Sequence, residues 1–321
     1  MEFAKYRCDV SADRFGNVIA CKKGKQGGGK LMFAAHMDEI GLMVSQIDEQ
    51  GFLKFSPIGG CDQRTLLSQE VIVHGRRDVF GVIGLKPPHL TSDEEQKKSV
   101  SIADMAIDIG FSQEEAEPLV RVGDIVTVRR KTIELRNDLL SGKSLDDKAG
   151  VAALLECAKN LVDYENTHDL YFAATAQKEA GIRGARAAAF NVNPDICVVV
   201  DAGFAKMPGL DAFSAIELGK GPAIAVGPNI RYAIFEVLKE TAEKNEIMFQ
   251  IDPIPGMSYT DAMFIQIAGR GVATGLISLP LKYMHTSVET VSMKDVTRAG
   301  TLLSCFTRSL NSRDLEMVLC S

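Results

Sequence analysis

The sequence lacks several features that would assign it to other classes of protein. None of its apolar runs approaches the roughly 18 residues that a membrane-spanning helix needs, and its first residues do not show the charged-then-apolar order of a signal peptide. Lysine and arginine form no block, and 36 basic against 42 acidic residues give a net charge of −6, unlike a nucleic-acid binder. We therefore expect a cytoplasmic protein with neither a membrane nor a nucleic-acid partner.

The cysteines are not arranged as a disulfide framework or as a thiolate metal site. The seven cysteines are odd in number, scattered and never spaced as C-x-x-C, which is typical of reduced thiols. Any bound metal would therefore be held by histidine and carboxylate side chains. A G-x-S-x-G motif is also missing, so a serine hydrolase of the common α/β type is not supported.

A glycine-rich segment at residues 24–30 matches the G-x-x-x-x-G-K part of a phosphate-binding loop. Leu31 stands where that loop needs a Ser or Thr hydroxyl for Mg²⁺. The segment also leads into a predicted strand rather than a helix whose N-terminus could hold phosphate. We expect a hairpin turn here.

The remaining pattern predicts two domains. A chain of 321 residues that is 46% apolar is large enough for about two buried cores. Alternating strands and helices at both ends predict an α/β domain, residues 1–41 and 133–321, with a mixed sheet flanked by helices. Between them, residues 42–132 are rich in short strand patterns and predict an inserted β domain. Within it, residues 91–98 are polar and aperiodic, which indicates a solvated loop.

The individual elements follow from the apolar spacing. In the α/β domain the predicted strands are residues 17–20, 31–35, 170–175, 196–200 and 272–278. The predicted helices there are residues 147–161, 183–190, 231–245, 260–268 and 293–309. In the β domain the predicted strands include residues 51–55, 70–73, 80–85 and 124–128.

Polar residues near five strand ends are the candidates for chemistry, because ligands of α/β sheets gather outside the carboxyl ends of strands. They are His36 with Asp38, Asp146 with Asp147, residues 177–179, Asp201 and His285. Two imidazoles and three carboxylates can hold two metal ions, with three protein ligands each, if one carboxylate bridges. Such a pair of ions polarises a carbonyl group and lowers the pKa of a shared water, as in two-metal hydrolases. Asp38 would accept the second N–H of an imidazole and so support the ligands.

These residues lie in segments that resemble the M42 metallo-aminopeptidases, a family that includes glutamyl aminopeptidases and some chains labelled cellulase or endoglucanase. The matching segments span nearly the whole chain in the family's order and are residues 35–41, 57–60, 86–89, 122–124, 145–150, 177–185, 260–262 and 283–285.

The resemblance implies a role for each candidate ligand. His36 and Asp201 would bind one zinc-type ion, Glu179 and His285 would bind the other, and Asp146 would bridge them. It further implies two divalent ions per subunit, with Zn expected and Co or Mn as alternatives.

The resemblance also implies partners. The substrates would be the N-termini of short peptides. The inserted domain would be a dimerisation domain, and the chain would form a homo-oligomer ranging from a dimer to a dodecamer.

One position departs from the family pattern. The family has two adjacent glutamates, a general base and then a metal ligand, where this chain has Lys178 and Glu179. An ordinary lysine is already protonated near neutral pH and is a poor base. We therefore expect Lys178, at the general-base position, to make peptide hydrolysis weak or absent. Two nearby dications and burial would favour the neutral form of Lys178, which would leave residual activity that rises at alkaline pH. In the other outcome its ammonium turns toward a carboxylate such as Glu179 or Asp201 and competes with metal.

Other interpretations remain open from the sequence. The chain could be a catalytically silent metal-binding or assembly subunit of the same fold, or a glycoside hydrolase that uses a carboxylate pair without metal. Either Asp146 or Asp147 could simply cap the helix that follows them; we assign Asp146 to metal and Asp147 to support. Three further histidines, His74, His89 and His168, are interpreted as structural.

Overall fold

The computed structural model describes residues 2–25, 28–92, 100–210 and 215–311. Its largest element is an 11-stranded mixed sheet flanked by helices, which confirms the predicted fold class. The sheet begins with β1 (Asp9–Ala12), β2 (Val18–Lys22) and β3 (Lys30–His36). A short 3-10 helix precedes them, and its Phe3 stacks on Phe172 with ring centroids 5.5 Å apart.

A separate closed barrel of six strands follows β3. Its elements are β4 (Gly41–Ile47), β5 (Leu53–Ile58), β6 (Glu70–His74), β7 (Asp78–Leu85), β8 (Met105–Asp108), the one-turn helix α1 (Gln113–Ala116) and β9 (Ile125–Val128). The strands close in the order β4-β5-β8-β7-β6-β9. In β4, Leu42 and Val44 point into the barrel core while Met43 is exposed. This alternation is expected of a strand with one solvent-exposed face.

The barrel confirms a separate β domain, but its exact boundaries at residues 42 and 132 stay a prediction. Most of the predicted solvated loop, residues 93–98, lies outside the described residues.

The chain then returns to the main sheet. The elements are β10 (Ile133–Leu135), β11 (Leu139–Gly142), α2 (Leu145–Asn160), β12 (Asp169–Thr175), α3 (Arg183–Val192), β13 (Ile196–Phe204), β14 (Ala223–Val226), α4 (Tyr232–Lys244), β15 (Gln250–Pro253), α5 (Ala262–Ile265), β16 (Ala273–Lys282), β17 (Glu289–Ser292) and α6 (Met293–Asn311). The sheet order is β1-β2-β12-β3-β13-β16-β17-β11-β10, and β14 pairs with β15 and β16.

Four parallel strands, β12, β3, β13 and β16, form the centre of this sheet and are covered on both faces. In β3, Leu31, Phe33 and Ala35 pack into the apolar cluster that contains α2 and α6. Met32 and Ala34 pack into the cluster on the opposite face, which contains α3. Because both faces are buried, the strand is a continuous apolar run rather than an alternating one.

The longest described helix, α6, has 19 residues and covers the sheet beside α2. It buries Leu302, Leu303 and Phe306. Within the described part of the chain, no helix is long and apolar enough to cross a membrane.

Most element bounds differ from the sequence prediction by a few residues, and two of the differences bear on the residues discussed below. The helix predicted at residues 260–268 is helical only over Ala262–Ile265, because the chain then turns through Gly269 and Gly271, which both have positive φ. The strand predicted at residues 196–200 continues to Phe204, so Asp201 lies within β13 rather than after it.

Candidate metal centre

The parallel strands deliver polar side chains to their common carboxyl edge. His36 is the last residue of β3 and lies beside Thr175, the last residue of β12. Glu179 follows β12, Asp201 lies near the end of β13, and His285 follows β16. The structure therefore brings together side chains that are far apart in the sequence.

Asp146, in the first turn of α2, lies at the centre of this group. Its Oδ1 is 3.0 Å from Nε2 of His36, and its Oδ2 is 3.4 Å from Nε2 of His285. Nε2 of His36 is also 3.7 Å from Oδ1 of Asp201. Nε2 of His285 is 3.4 Å from Oε1 of Glu179. The Nε2 atom of each imidazole thus lies close to Asp146 and to one further carboxylate.

The carboxylates are buried and incompletely partnered. The side chains of Asp146 and Asp201 are only 1% and 2% exposed. Their Oδ2 atoms make no hydrogen bond within the described residues, although that of Asp146 has His285 as an ionic neighbour. A buried carboxylate oxygen without a hydrogen bond is costly. Two groups, His36 with Asp146 and Glu179, and His36 with Asp147 and Asp201, bring ligand atoms within 4.8 Å of one another. This donor set fits divalent ions such as Zn²⁺.

The amino group of Lys178 lies in the same cluster. Its Nζ is 3.6 Å from Oε1 of Glu179, 3.7 Å from Oδ1 of Asp201 and 3.9 Å from Oδ1 of Asp146. Burial by itself would lower the pKa of Lys178, but the three carboxylates outweigh burial and raise that pKa above its ordinary value. Lys178 is therefore a cation held against the carboxylates.

Asp38 supports two of the candidate ligands. Its carboxylate oxygens accept hydrogen bonds from the backbone N–H groups of Lys178 and Glu179, each at 3.0 Å. Its carbonyl oxygen is 3.2 Å and its Oδ1 is 3.6 Å from Nδ1 of His36. Asp38 therefore orients both the imidazole of His36 and the loop that carries Glu179.

Asp147 is completely buried and binds backbone. Its carboxylate accepts hydrogen bonds from the N–H of His36 at 3.3 Å and from the N–H of Gly150 at 3.1 Å. Burial and the nearby Asp201 raise the pKa of Asp147 well above its ordinary value. The contact with Gly150 shows the helix-capping role that the sequence allows, and the contact with His36 ties α2 to β3.

Two glycines after β5 let the barrel backbone approach the cluster. A Cβ atom at Gly60 would lie 2.6 Å from Nδ1 of His285, and one at Gly59 would lie 3.0 Å from Oε2 of Glu179. The carbonyl oxygen of Gly60 instead accepts a hydrogen bond from Nδ1 of His285 at 3.0 Å. The barrel therefore contributes directly to the orientation of His285.

Comparison with known proteins places this geometry in a family. The model of the M42 glutamyl aminopeptidase family matches residues 16–302. The lysyl aminopeptidase of Pyrococcus furiosus is 38% identical over 95% of this chain and 88% of its own length. The structure of aminopeptidase APDkam598 from Desulfurococcus kamchatkensis has a TM-score of 0.90 and 37% identity, covering 99% of this chain and 89% of that one. The TET1 peptidase of Pyrococcus horikoshii has a TM-score of 0.83 and 34% identity, covering 95% of this chain and 91% of that one.

The chain belongs to the M42 family of aminopeptidases. This confirms the resemblance found in the sequence motifs. It also places the chain among the hydrolases, in the aminopeptidase class. Metal dependence is a property of the M42 family, and the clustered histidine and carboxylate side chains are suited to it.

Sequence reasoning missed two acidic residues of the M42 site. Glu289 accepts hydrogen bonds from the backbone N–H of Asp146 at 3.1 Å and of His285 at 2.9 Å, and burial raises its pKa to about 7. Asp261 is buried beside Thr175, whose hydroxyl donates to it, and burial raises its pKa to about 6. Two signals in the sequence could have found them. Glu289 begins the short buried strand after His285, and Asp261 lies in the family motif at residues 260–262, to which no role was assigned.

The imidazoles are polarised by the carboxylates. Burial opposes the charged form of His36, but contacts with Asp146 and Asp38 outweigh burial and raise the pKa of His36 well above its ordinary value. Contacts with Asp146 and Glu179 raise the pKa of His285 to about 10. Burial would raise the pKa of Asp146, but the two imidazoles lower it below its ordinary value. Positive charge is therefore strongly favoured at this site.

The other three histidines lie away from the cluster. His74 is on the barrel surface, with Nδ1 2.9 Å from Asp78 and Nε2 2.9 Å from the hydroxyl of Thr127. His168 is buried, and its Nδ1 accepts a hydrogen bond from the N–H of Gly29. His89 lies in a short 3-10 helix of the barrel domain. The glycine-rich segment ahead of β3 leads into that strand, but the predicted hairpin is wrong, because β12 lies between β2 and β3 in the sheet. Residues 26 and 27 of the segment lie outside the described residues.

We expect Glu289→Ala to destabilise the protein, because it removes the acceptor for two backbone N–H groups that carry candidate ligands. Each unsatisfied buried group costs about 1–3 kcal/mol. The free energy of unfolding from urea titration measures the effect. Glu289→Gln keeps one acceptor oxygen, and its free energy of unfolding should fall by less.

As a control for this comparison, Glu243→Ala on the exposed face of α4 should change stability by no more than about 0.5 kcal/mol. A Glu289→Ala protein as stable as the control would show that Glu289 does not hold these loops.

Proposed function

We propose that this M42 chain is a two-metal aminopeptidase that removes residues from the N-termini of short peptides. The observation that carries the proposal is the common orientation of the two imidazoles. Nδ1 of His36 faces Asp38 and Nδ1 of His285 faces the carbonyl of Gly60, so both Nε2 atoms point at the buried carboxylates. Imidazole ligands of metals are commonly fixed in this way through their other nitrogen.

The proposed ligand sets follow from the contacts. His36 and Asp201 would hold one ion, and His285 and Glu179 the other. Asp146 contacts both imidazoles, each through a different carboxylate oxygen, and would bridge the ions. When bound, two such ions polarise the scissile carbonyl group and lower the pKa of an attacking water. Zn²⁺ is the expected ion, and Co²⁺ and Mn²⁺ share the same ligand preferences.

The protein's own residues position these groups before the reaction. Asp38 restrains His36 and the backbone of the Glu179 loop, and Asp147 ties the start of α2 to β3. Glu289 joins the backbone of Asp146 to that of His285. Burial of this scaffold keeps competing water away from the carboxylates and strengthens their electrostatic effect.

We expect His36→Ala and His285→Ala each to lose one ion, and Asp146→Ala to weaken the binding of both. Metal content of the purified proteins and hydrolysis of a panel of aminoacyl anilides measure these effects. Removal of metal with a chelator should abolish hydrolysis in the unmodified protein, whereas a metal-free glycoside hydrolase would be unaffected.

The matched control is His74→Ala, which removes an imidazole from the barrel surface and should leave metal content unchanged. Full metal stoichiometry in Asp146→Ala would contradict the bridging role.

The second candidate function is a metal-binding or assembly subunit that does not turn over peptide. Lys178 favours it, because the position next to Glu179 carries an ammonium in contact with carboxylates instead of a proton acceptor. Without a general base, hydrolysis should be slower by a factor of roughly 10² to 10⁴. We propose that the chain is a weak or silent peptidase for this reason.

We expect Lys178→Glu to raise kcat by about 10²- to 10⁴-fold with little change in KM, because it restores a carboxylate that can accept a proton. Steady-state kinetics on an aminoacyl anilide measure the change. Lys178→Gln removes the ammonium without adding a base and should give a much smaller increase in kcat. Ordinary rates in the unmodified protein, with no gain in Lys178→Glu, would mean that another residue is the base.

We also propose a homo-oligomer in which the barrel domain makes the dimer contact. The TET1 peptidase of Pyrococcus horikoshii is described as assembling into a tetrahedron or an octahedral shell. In this chain, Phe80 and Val82 on β7 are 62% and 50% exposed, which is unusual for large apolar side chains on neighbouring outward positions.

We expect light scattering to show at least a dimer, and Val82→Glu to shift it toward monomer by placing a charge in the contact. Phe190→Glu, at a more exposed apolar residue on α3, controls for the added charge. A monomer at all concentrations of the unmodified protein would refute the proposal.

A further inference from the structure

Lys178 is placed differently from the other lysines around the site. Lys143 and Lys148 pair with Glu39, and their side chains are 25% and 49% exposed. The Lys178 side chain is only 12% exposed, and its Nζ lies within 4 Å of three carboxylates. Lys178 therefore points into the cluster rather than out toward solvent.

The oxygen atoms that face Lys178 are the same atoms that face the imidazoles. Oδ1 of Asp201 is 3.7 Å from Nζ of Lys178 and also 3.7 Å from Nε2 of His36. Oε1 of Glu179 is 3.6 Å from Nζ and 3.4 Å from Nε2 of His285. An ion held by an imidazole and its neighbouring carboxylate would therefore approach the oxygens that the ammonium contacts.

The backbone of Lys178 is fixed, so only its side chain can leave. Its N–H donates to Asp38, and its carbonyl oxygen accepts from the N–H groups of Gly181 at 3.1 Å and Ile182 at 2.9 Å. The preceding residue, Gln177, has a φ of 59°, in the left-handed region. A four-carbon stem with a terminal ammonium can swing outward without disturbing this turn.

We infer that Lys178 is an internal cation that competes with divalent metal for Asp146, Glu179 and Asp201. The inference rests on the proposed metal site. Without metal, the ammonium offsets the repulsion among the buried carboxylates and stabilises the fold. With metal, two positive charges would share the same oxygens, so the ammonium must move away, and that displacement weakens metal binding. One side chain thus has opposite effects on the metal-free and metal-bound forms.

The test uses Lys178→Met, which keeps the length and apolar stem but removes the charge. Zn²⁺ binding is measured by competition with a chelator of known affinity, and thermal unfolding is followed with and without Zn²⁺. We expect the variant to bind Zn²⁺ more tightly by about 5- to 150-fold, the usual range for coupling between two ligands. We also expect its metal-free form to unfold at a lower temperature. A residue with only a structural role would lower stability without tightening metal binding.

Two further variants separate charge from shape. Lys148→Met removes a more exposed positive charge, which pairs with Glu39, and should change neither the Zn²⁺ affinity nor the unfolding temperature. Lys178→Arg keeps the charge and should bind Zn²⁺ no more tightly than the unmodified protein. If metal-free Lys178→Met does not fold, it can be purified with Zn²⁺ and its affinity measured by extraction with the chelator.

Each outcome bears on the inference. Equal Zn²⁺ affinity in the unmodified protein and Lys178→Met would overturn competition but leave the proposed metal site intact. Tighter binding by Lys178→Arg would also overturn it, because the charge is retained. Absence of Zn²⁺ binding in every variant would overturn the metal site and this inference together.

Discussion

Buried negative charge at one edge of a parallel sheet is the constraint on which this site depends. Asp146, Asp147 and Asp201 are almost completely enclosed. Burial of several carboxylates at short range is unfavourable unless positive charge accompanies them, and at Asp147 and Asp201 burial raises the pKa above its ordinary value. In the structure that charge comes from His36, His285 and Lys178. The surrounding hydrogen bonds place these cationic groups against the carboxylates.

This requirement explains why so much of the support comes from backbone groups. Asp38 and Glu289 each accept two backbone N–H bonds, and in doing so they fix loops rather than single side chains. Left-handed φ values at Ser144, Gln177 and His285 show that the chain near the site adopts conformations that are unfavourable in isolation. Such conformations persist where surrounding contacts determine them, which is common at functional sites.

The sequence was sufficient to predict the central strands, because β3 and β13 are buried on both faces and their apolar runs are unambiguous. It also predicted which acidic and imidazole residues would gather at the strand ends, since parallel strands share a carboxyl edge. It could not predict the place of Glu289, which accepts a hydrogen bond from the backbone of Asp146, 143 residues away along the chain. Nor could the sequence decide whether Lys178 is a neutral, weak base or an ammonium turned toward a carboxylate. The direction of this flexible side chain depends on charged groups that only folding brings close to it.

The close approach of Gly60 to His285 has a consequence for the modularity of the chain. The barrel forms its own core and looks separable, yet its backbone supplies the acceptor that fixes one imidazole of the other domain. Replacing the barrel with an unrelated one of equal size would remove the hydrogen-bond acceptor of Nδ1 and leave the imidazole held only through Nε2. Domain grafting in this fold must therefore preserve the path of the backbone through residues 59–60, where any side chain would collide with the site.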